Sequence, residues 1–123
     1  MNVANIDNLG TVHPDTFWWD YDLGNVKTRP FSQIWQDHSD PLMAGLNQVQ
    51  RPLKGRCGLC SYKTICGGNT RVRAYQLTGD PWQEDPACYL RDEEIGVDES
   101  AARLQVVPFS RRRHEAIRQN GIR

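Results

Sequence analysis

Arg56-Cys57-Gly58-Leu59-Cys60-Ser61-Tyr62-Lys63-Thr64-Ile65-Cys66-Gly67-Gly68-Asn69 is the stretch on which the reading of this chain turns. It carries three of the four cysteines within ten residues, and the fourth is Cys88, giving C-x2-C-x5-C-x21-C. Chance does not gather every cysteine of a 123-residue chain into one block. Cys57, Cys60, Cys66 and Cys88 are therefore read as one site. Three chemistries compete for it. Four cysteines allow three disulfide connectivities, but Met1 to Gly10 has neither a basic start nor an apolar stretch, so no secretion signal is expected and disulfides are disfavoured. Structural zinc takes four thiolates in a tetrahedron, usually from two C-x2-C knuckles, whereas here the second half is split into x5 and x21. A [4Fe–4S] cubane spreads its thiolates over separate corners and accepts looser spacing. It also takes backbone N–H donors to its sulfurs, and Gly58, Gly67 and Gly68 let the backbone approach closely. The cubane is the preferred assignment. A zinc-stapled, non-catalytic interaction module is the rival.

Working outward, residues 10–29 read as a hairpin. The aromatic run Phe17-Trp18-Trp19-Asp20-Tyr21 suits a strand, Leu23-Gly24-Asn25 a turn, and Val26-Lys27-Thr28 a short returning strand. Pro30 opens a helix with Phe31, Ile34 and Trp35 on one face. Asp40-Pro41 caps and restarts a second helix, with Leu42, Met43, Leu46 and Val49 as its buried stripe. Beyond Cys66, residues Asn69 to Leu77 suit a short helix closed by Gly79, and Asp85-Pro86 begins one turn carrying Cys88. Weak helical patterns follow Asp98 and Ser110, separated by Pro108. The expected fold class is α+β: a lead-in over 1–9, a small domain over 10–95, and a basic tail, helical or disordered, over 96–123.

Composition narrows the function classes. Leu, Ile, Val and Phe supply 26 of 123 residues, barely above the level at which chains stop folding alone. A small core that benefits from a staple is predicted. Fifteen basic and fifteen acidic residues give zero net charge, against a dedicated nucleic-acid or membrane-surface protein. No run approaches the ~20 apolar residues of a membrane span. A cytoplasmic location is the expectation. The charge is uneven: residues 1–50 carry six acids and two bases, whereas 101–123 carry six arginines and one acid. That tail is a solvated end or a docking element for an acidic surface.

The cysteine run, with Gly24-Asn25-Val26 and Ile34-Trp35 before it, resembles the SPASM/twitch auxiliary-cluster domain at the C-terminus of radical S-adenosylmethionine enzymes. Within that family the resemblance is to the haem d1 biosynthesis branch. It is carried by Arg29-Pro30-Phe31-Ser32-Gln33-Ile34-Trp35, Cys66-Gly67-Gly68-Asn69-Thr70-Arg71-Val72-Arg73-Ala74, Thr78-Gly79-Asp80-Pro81-Trp82 and Asp85-Pro86-Ala87-Cys88-Tyr89-Leu90. The resemblance implies that Cys57, Cys60, Cys66 and Cys88 ligate one auxiliary [4Fe–4S] cluster serving electron transfer or structure. It implies a tetrapyrrole substrate, a didecarboxysiroheme from which propionates are removed to leave oxo groups. A peptide-modifying SPASM enzyme is the alternative within the family.

Two departures from the family pattern matter. The inner-cluster ligand positions read Asp15 and Thr70, so a single auxiliary cluster is expected. The radical S-adenosylmethionine motif C-x3-C-x2-C is absent, and no cysteine is left to form it. The chain alone is predicted inactive, with S-adenosylmethionine and a second [4Fe–4S] cluster held by a core domain or subunit as partner. Arg71 and Arg73 are candidates for substrate carboxylates, since Arg forks onto them, for the cluster's net negative charge, or for surface salt bridges. His13 is a candidate axial ligand to a haem-like substrate, and Asp15 a substrate contact or a turn former after Pro14.

Overall fold

The computed structural model describes residues 3–98. The helical patterns expected after Asp98 and after Ser110 lie outside them. The chain divides into two compact units, Met1–Gln48 and Val49–Arg123. No helix among the described residues is long and apolar enough to cross a membrane. Strands and helices are both present, so the α+β class holds at that level.

The first unit is built on a hairpin tighter and earlier than expected. Strands β1 (Asn5–Ile6) and β2 (Val12–His13) pair antiparallel, Asn5 opposite His13 and Ile6 opposite Val12. Asp7 makes the connection: its Oδ1 accepts from the amides of Leu9, at 2.8 Å, and Thr11, at 3.0 Å, an Asx turn of the kind that reverses a chain locally. Residues 23–26 then run alongside, with Val12 N–H donating to Gly24 O and Val26 N–H to Gly10 O. The aromatic run 17–21 is not a strand. Asp15 Oδ1 takes the Phe17 amide at 2.9 Å and Asp15 O takes the Trp18 amide at 3.2 Å. That turn, entered after Pro14, overrides the β-favouring side chains. It buries Trp18 and leaves Phe17 and Trp19 exposed.

Helix α1 (Phe31–Gln36) follows Pro30, and α2 (Pro41–Leu46) follows Asp40. Asp40 Oδ1 accepts from both the Leu42 and Met43 amides, and Tyr21 Oη–H donates to the same carboxylate. Ile34, Leu42, Met43 and Leu46 are buried as the pattern predicted, but Val49 is 92% exposed because the helix ends three residues before it. Val12, Trp18 and Pro14 add to the buried apolar side chains of this unit.

The second unit is a chain of short helices: α3 (Gly55–Leu59), α4 (Lys63–Cys66), α5 (Arg71–Thr78) and a 3-10 turn at Asp92–Ile95. Helix α5 starts two residues later than expected and ends at Gly79, whose φ of +75° is the left-handed cap that glycine permits. Between α4 and α5 the chain reverses through Gly67, Gly68 and Asn69, all at positive φ. At Gly68 a side chain would have no room: a Cβ would lie 2.7 Å from Leu53 Cδ2 and from the Arg71 guanidinium. Val72, Ala74, Ile95 and Val97 are buried, with Cys60 and Leu90 packed on the Ile95–Val97 pair.

Candidate metal centre

The cysteines are delivered by separate local structures. Cys57 lies on α3 and Cys60 caps its C-terminal end; Cys66 is the last residue of α4; Cys88 sits in the turn begun by Asp85. All four line one cavity of about 230 Å³. None is disulfide-bonded; Cys66 is exposed and the other three half-buried. Among the described residues no three His, Cys, Asp or Glu side chains gather about one point as a single ion requires. The thiols surround a space instead.

Backbone amides reach two of the sulfurs. Asp85 N–H donates to Cys57 Sγ and Tyr62 N–H to Cys60 Sγ, each at 3.3 Å. Asp85 is the organiser of this wall. Its carbonyl accepts from Cys88 N–H at 3.2 Å, so one residue touches both the Cys57 sulfur and the Cys88 turn. Its own carboxylate is gripped by Arg73, Nε to Oδ1 at 2.9 Å and Nη2 to Oδ2 at 2.6 Å. Burial pushes the Asp85 carboxyl up, but the Arg73 fork and the Ala87 amide outweigh it and hold its pKa below the ordinary value. Burial also raises the Cys57 thiol, against the pull of the Asp85 amide and the Arg71 charge.

Three arginines brace the segments that carry the cysteines, and of these Arg56 lines the cavity. Arg56 donates from Nε to Asp92 Oδ1 at 2.8 Å and from its Nη2 to Leu90 O. Arg73 is the Asp85 clamp. Arg71 is buried, with 1% exposure. Its Nη1 donates to Gln83 O at 2.6 Å and Pro81 O at 3.2 Å, and its Nη2 to Gly68 O. Its Nε–H is buried with no hydrogen-bond partner.

The remaining sequence candidates lie in the first unit. His13 is buried, its Nδ1–H donating to Tyr21 O at 2.8 Å and its Nε2 3.0 Å from Asp7 Oδ2. Asp15 forms the turn described above. Arg71 and Arg73 belong to the cysteine unit, but both are committed to internal partners. Sequence reading undervalued Arg56 and Asp85. The Asp85-Pro86 pair signalled a turn, but nothing in the pattern said that its amide would meet the sulfur of Cys57, 28 residues earlier in the chain.

The chain is 56% identical over 94% of its length to pre-heme d1 synthase of Dinoroseobacter shibae. The chain belongs to the radical S-adenosylmethionine family that includes that protein. Over 74% of its length it is 51% identical to Fe-coproporphyrin III synthase of Methanosarcina barkeri, and over 55% it is 41% identical to an AdoMet-dependent heme synthase of the same organism. It spans 28%, 24% and 18% of the lengths of these three family members. No family model and no solved structure matches the chain.

Proposed function

We propose that Cys57, Cys60, Cys66 and Cys88 hold one [4Fe–4S] cluster, and that the chain is the SPASM/twitch-like auxiliary-cluster part of a haem d1 biosynthesis enzyme. The observation that carries the reading is the cavity of about 230 Å³ lined by all four thiols. A cubane of eight iron and sulfide atoms needs such a space, whereas a single zinc ion draws its ligands to one point. The donor set fits as well. Two amides already reach sulfur.

When bound, the cluster supplies one-electron transfer. This chain's residues hold it, give its sulfurs N–H donors and place Arg56 in the cavity lining. Removing a propionate and leaving an oxo group is a net oxidation, so an electron acceptor is chemically required, and this supports electron transfer over a purely structural role. The partner in this reading is a radical S-adenosylmethionine core, as a domain or a subunit, which holds the cosubstrate and the second cluster. The substrate is a tetrapyrrole. The names of the relatives support that class, and their greater length supports the missing core. The deciding experiment is metal and acid-labile sulfide analysis of anaerobically prepared protein. Brown protein with about four iron and four sulfide per chain is expected; colourless protein with one tightly held zinc would replace the cluster with the interaction-module reading.

A further inference from the structure

Arg71 is an unusual residue to find fully buried, since arginine is almost never removed from water without pairing. Among the described residues its guanidinium makes no ion pair within hydrogen-bonding distance. Its partners are three backbone carbonyls, those of Gly68, Pro81 and Gln83. Gly68 stands two residues past Cys66, and Gln83 two residues before Asp85, whose amide meets the Cys57 sulfur. One side chain therefore joins the Cys66 side of the cage to the Cys57 side. Gly68 is itself shaped by the contact, because a Cβ there would lie 2.7 Å from the guanidinium carbon. Carbonyl oxygens orient the group but leave its charge uncancelled. Cys57, Asp85 and, more weakly, Cys66 attract its charge while Arg51 opposes it, and Asp85 is already held by Arg73. Arginine does not lose its proton even when buried.

We propose that Arg71 is a positioning residue that sets the reduction potential of the cluster, its fixed buried cation favouring the reduced state. The inference rests on the cluster reading above. A cubane with four thiolates has net charge of about −2 oxidised and −3 reduced, by simple addition of ligand and core charges. An uncancelled cation in a low-dielectric wall stabilises the more negative state. The Arg73 and Arg56 charges are each met by a carboxylate, Asp85 and Asp92 respectively, so their effect on the cluster is smaller.

The test uses the full 123-residue chain, reconstituted anaerobically, as wild type, Arg71→Gln and Arg71→Lys, with Arg91→Gln as a surface control. Iron and sulfide content is measured first, then the reduction midpoint by EPR-monitored titration. Wild-type chain without iron and sulfide overturns the cluster reading itself and leaves nothing for Arg71 to tune. With the cluster present, Arg71→Gln is expected to shift the reduction equilibrium about tenfold toward the oxidised form, about 59 mV for a one-electron couple. Arg71→Lys, which restores the charge but not the fork, should stay within about threefold of wild type, as should Arg91→Gln. Full cluster content with an unmoved midpoint in Arg71→Gln overturns the proposal, as does a Lys variant shifted as far as the Gln variant. If Arg71→Gln cannot retain its cluster, retention by Arg71→Lys supports the charge, and loss in both overturns it in favour of packing alone.

Discussion

The two units bury different things. The first closes over apolar side chains: Val12, Trp18, Ile34, Leu42, Met43 and Leu46. The second has fewer such residues, and among its buried groups are the Arg71 guanidinium and the Asp85 carboxylate, beside a thiol-lined cavity. Apolar burial at about 25 cal/mol per Å² is non-directional and needs no partner beyond other side chains. A buried guanidinium and carboxylate contribute little net stability and demand complete pairing. The first unit can therefore stand on packing, whereas in the second the cluster proposed above would fill the thiol-lined cavity. Small domains with weak cores commonly take much of their folding free energy from metal ligation.

The largest expected effect breaks this contrast directly. Cys60→Ser should lose the cluster and unfold or loosen the second unit while the first stays folded. Hydrogen exchange resolved by peptide would show protection lost over 55–97 and kept over 5–46. Equal loss in both units, or apo-protein as protected as holo-protein throughout, would show that the cluster is not the staple of one unit.

Next in size is Gly68→Ala. A left-handed φ costs a non-glycine residue about 1–2 kcal/mol, and the close approach to Leu53 and Arg71 adds an overpacking penalty of about 1–3 kcal/mol. A markedly lower denaturation midpoint for the second unit, with weakened cluster retention, is expected. Gly79→Ala shares the positive φ but meets nothing within 4 Å, so it should show only the backbone cost. Equal effects at the two positions would remove the close-approach argument.

Asp40→Ala sharpens the other side of the comparison. It removes the side-chain acceptor of the Leu42 and Met43 amides and of the Tyr21 hydroxyl. Loss of such a cap costs about 0.5–2 kcal/mol. The effect should fall on the first unit and leave iron content unchanged, as measured by denaturant titration beside metal analysis.

The contrast also explains what could be read from the sequence. Features written in neighbouring residues were legible: Asp40 before Pro41, Gly79 after α5, and the crowding of four cysteines. The strands were not, because each is two residues long and leaves no alternating pattern. The aromatic run at 17–21 carried the stronger β signal, and the Asp15 turn defeated it. In the candidate site, Arg71 and Arg73 look equivalent in sequence. Which is buried against carbonyls and which clamps Asp85 depends on the path of residues 81–85, a long-range fact with no local signature. Likewise Asp7, the organiser of the hairpin and of His13, lay in what reads as a lead-in.

His13 gives the smallest expected effect, confined to the first unit. Both ring nitrogens face acceptors: the Tyr21 carbonyl can only accept, and Asp7 as a carboxylate can only accept. A neutral imidazole would turn a lone pair toward one of them, so the arrangement calls for the imidazolium. Burial pushes the ring pKa down, but the Asp7 carboxylate and the Tyr21 carbonyl outweigh it and hold it above the usual value, with Asp22 adding a smaller pull. The Asp7 carboxyl is lowered to about 2, chiefly by its bond to His13. A raised folded pKa means stabilisation that is full below the unfolded value near 6.5 and lost as pH rises through the folded value. A lowered carboxyl pKa means stabilisation present above about 3.8 and lost as pH falls toward about 2. The first unit should therefore be most stable between those limits and should weaken as pH rises above about 6.5. Exchange of the Val12 amide, bonded to Gly24 O, reports on that unit by itself. Its opening free energy, corrected for intrinsic exchange, should decline with rising pH, and His13→Gln should flatten the decline because glutamine does not titrate. A flat profile in the wild type, or an equal slope in His13→Gln, would show that His13 does not carry the charge its two acceptors require.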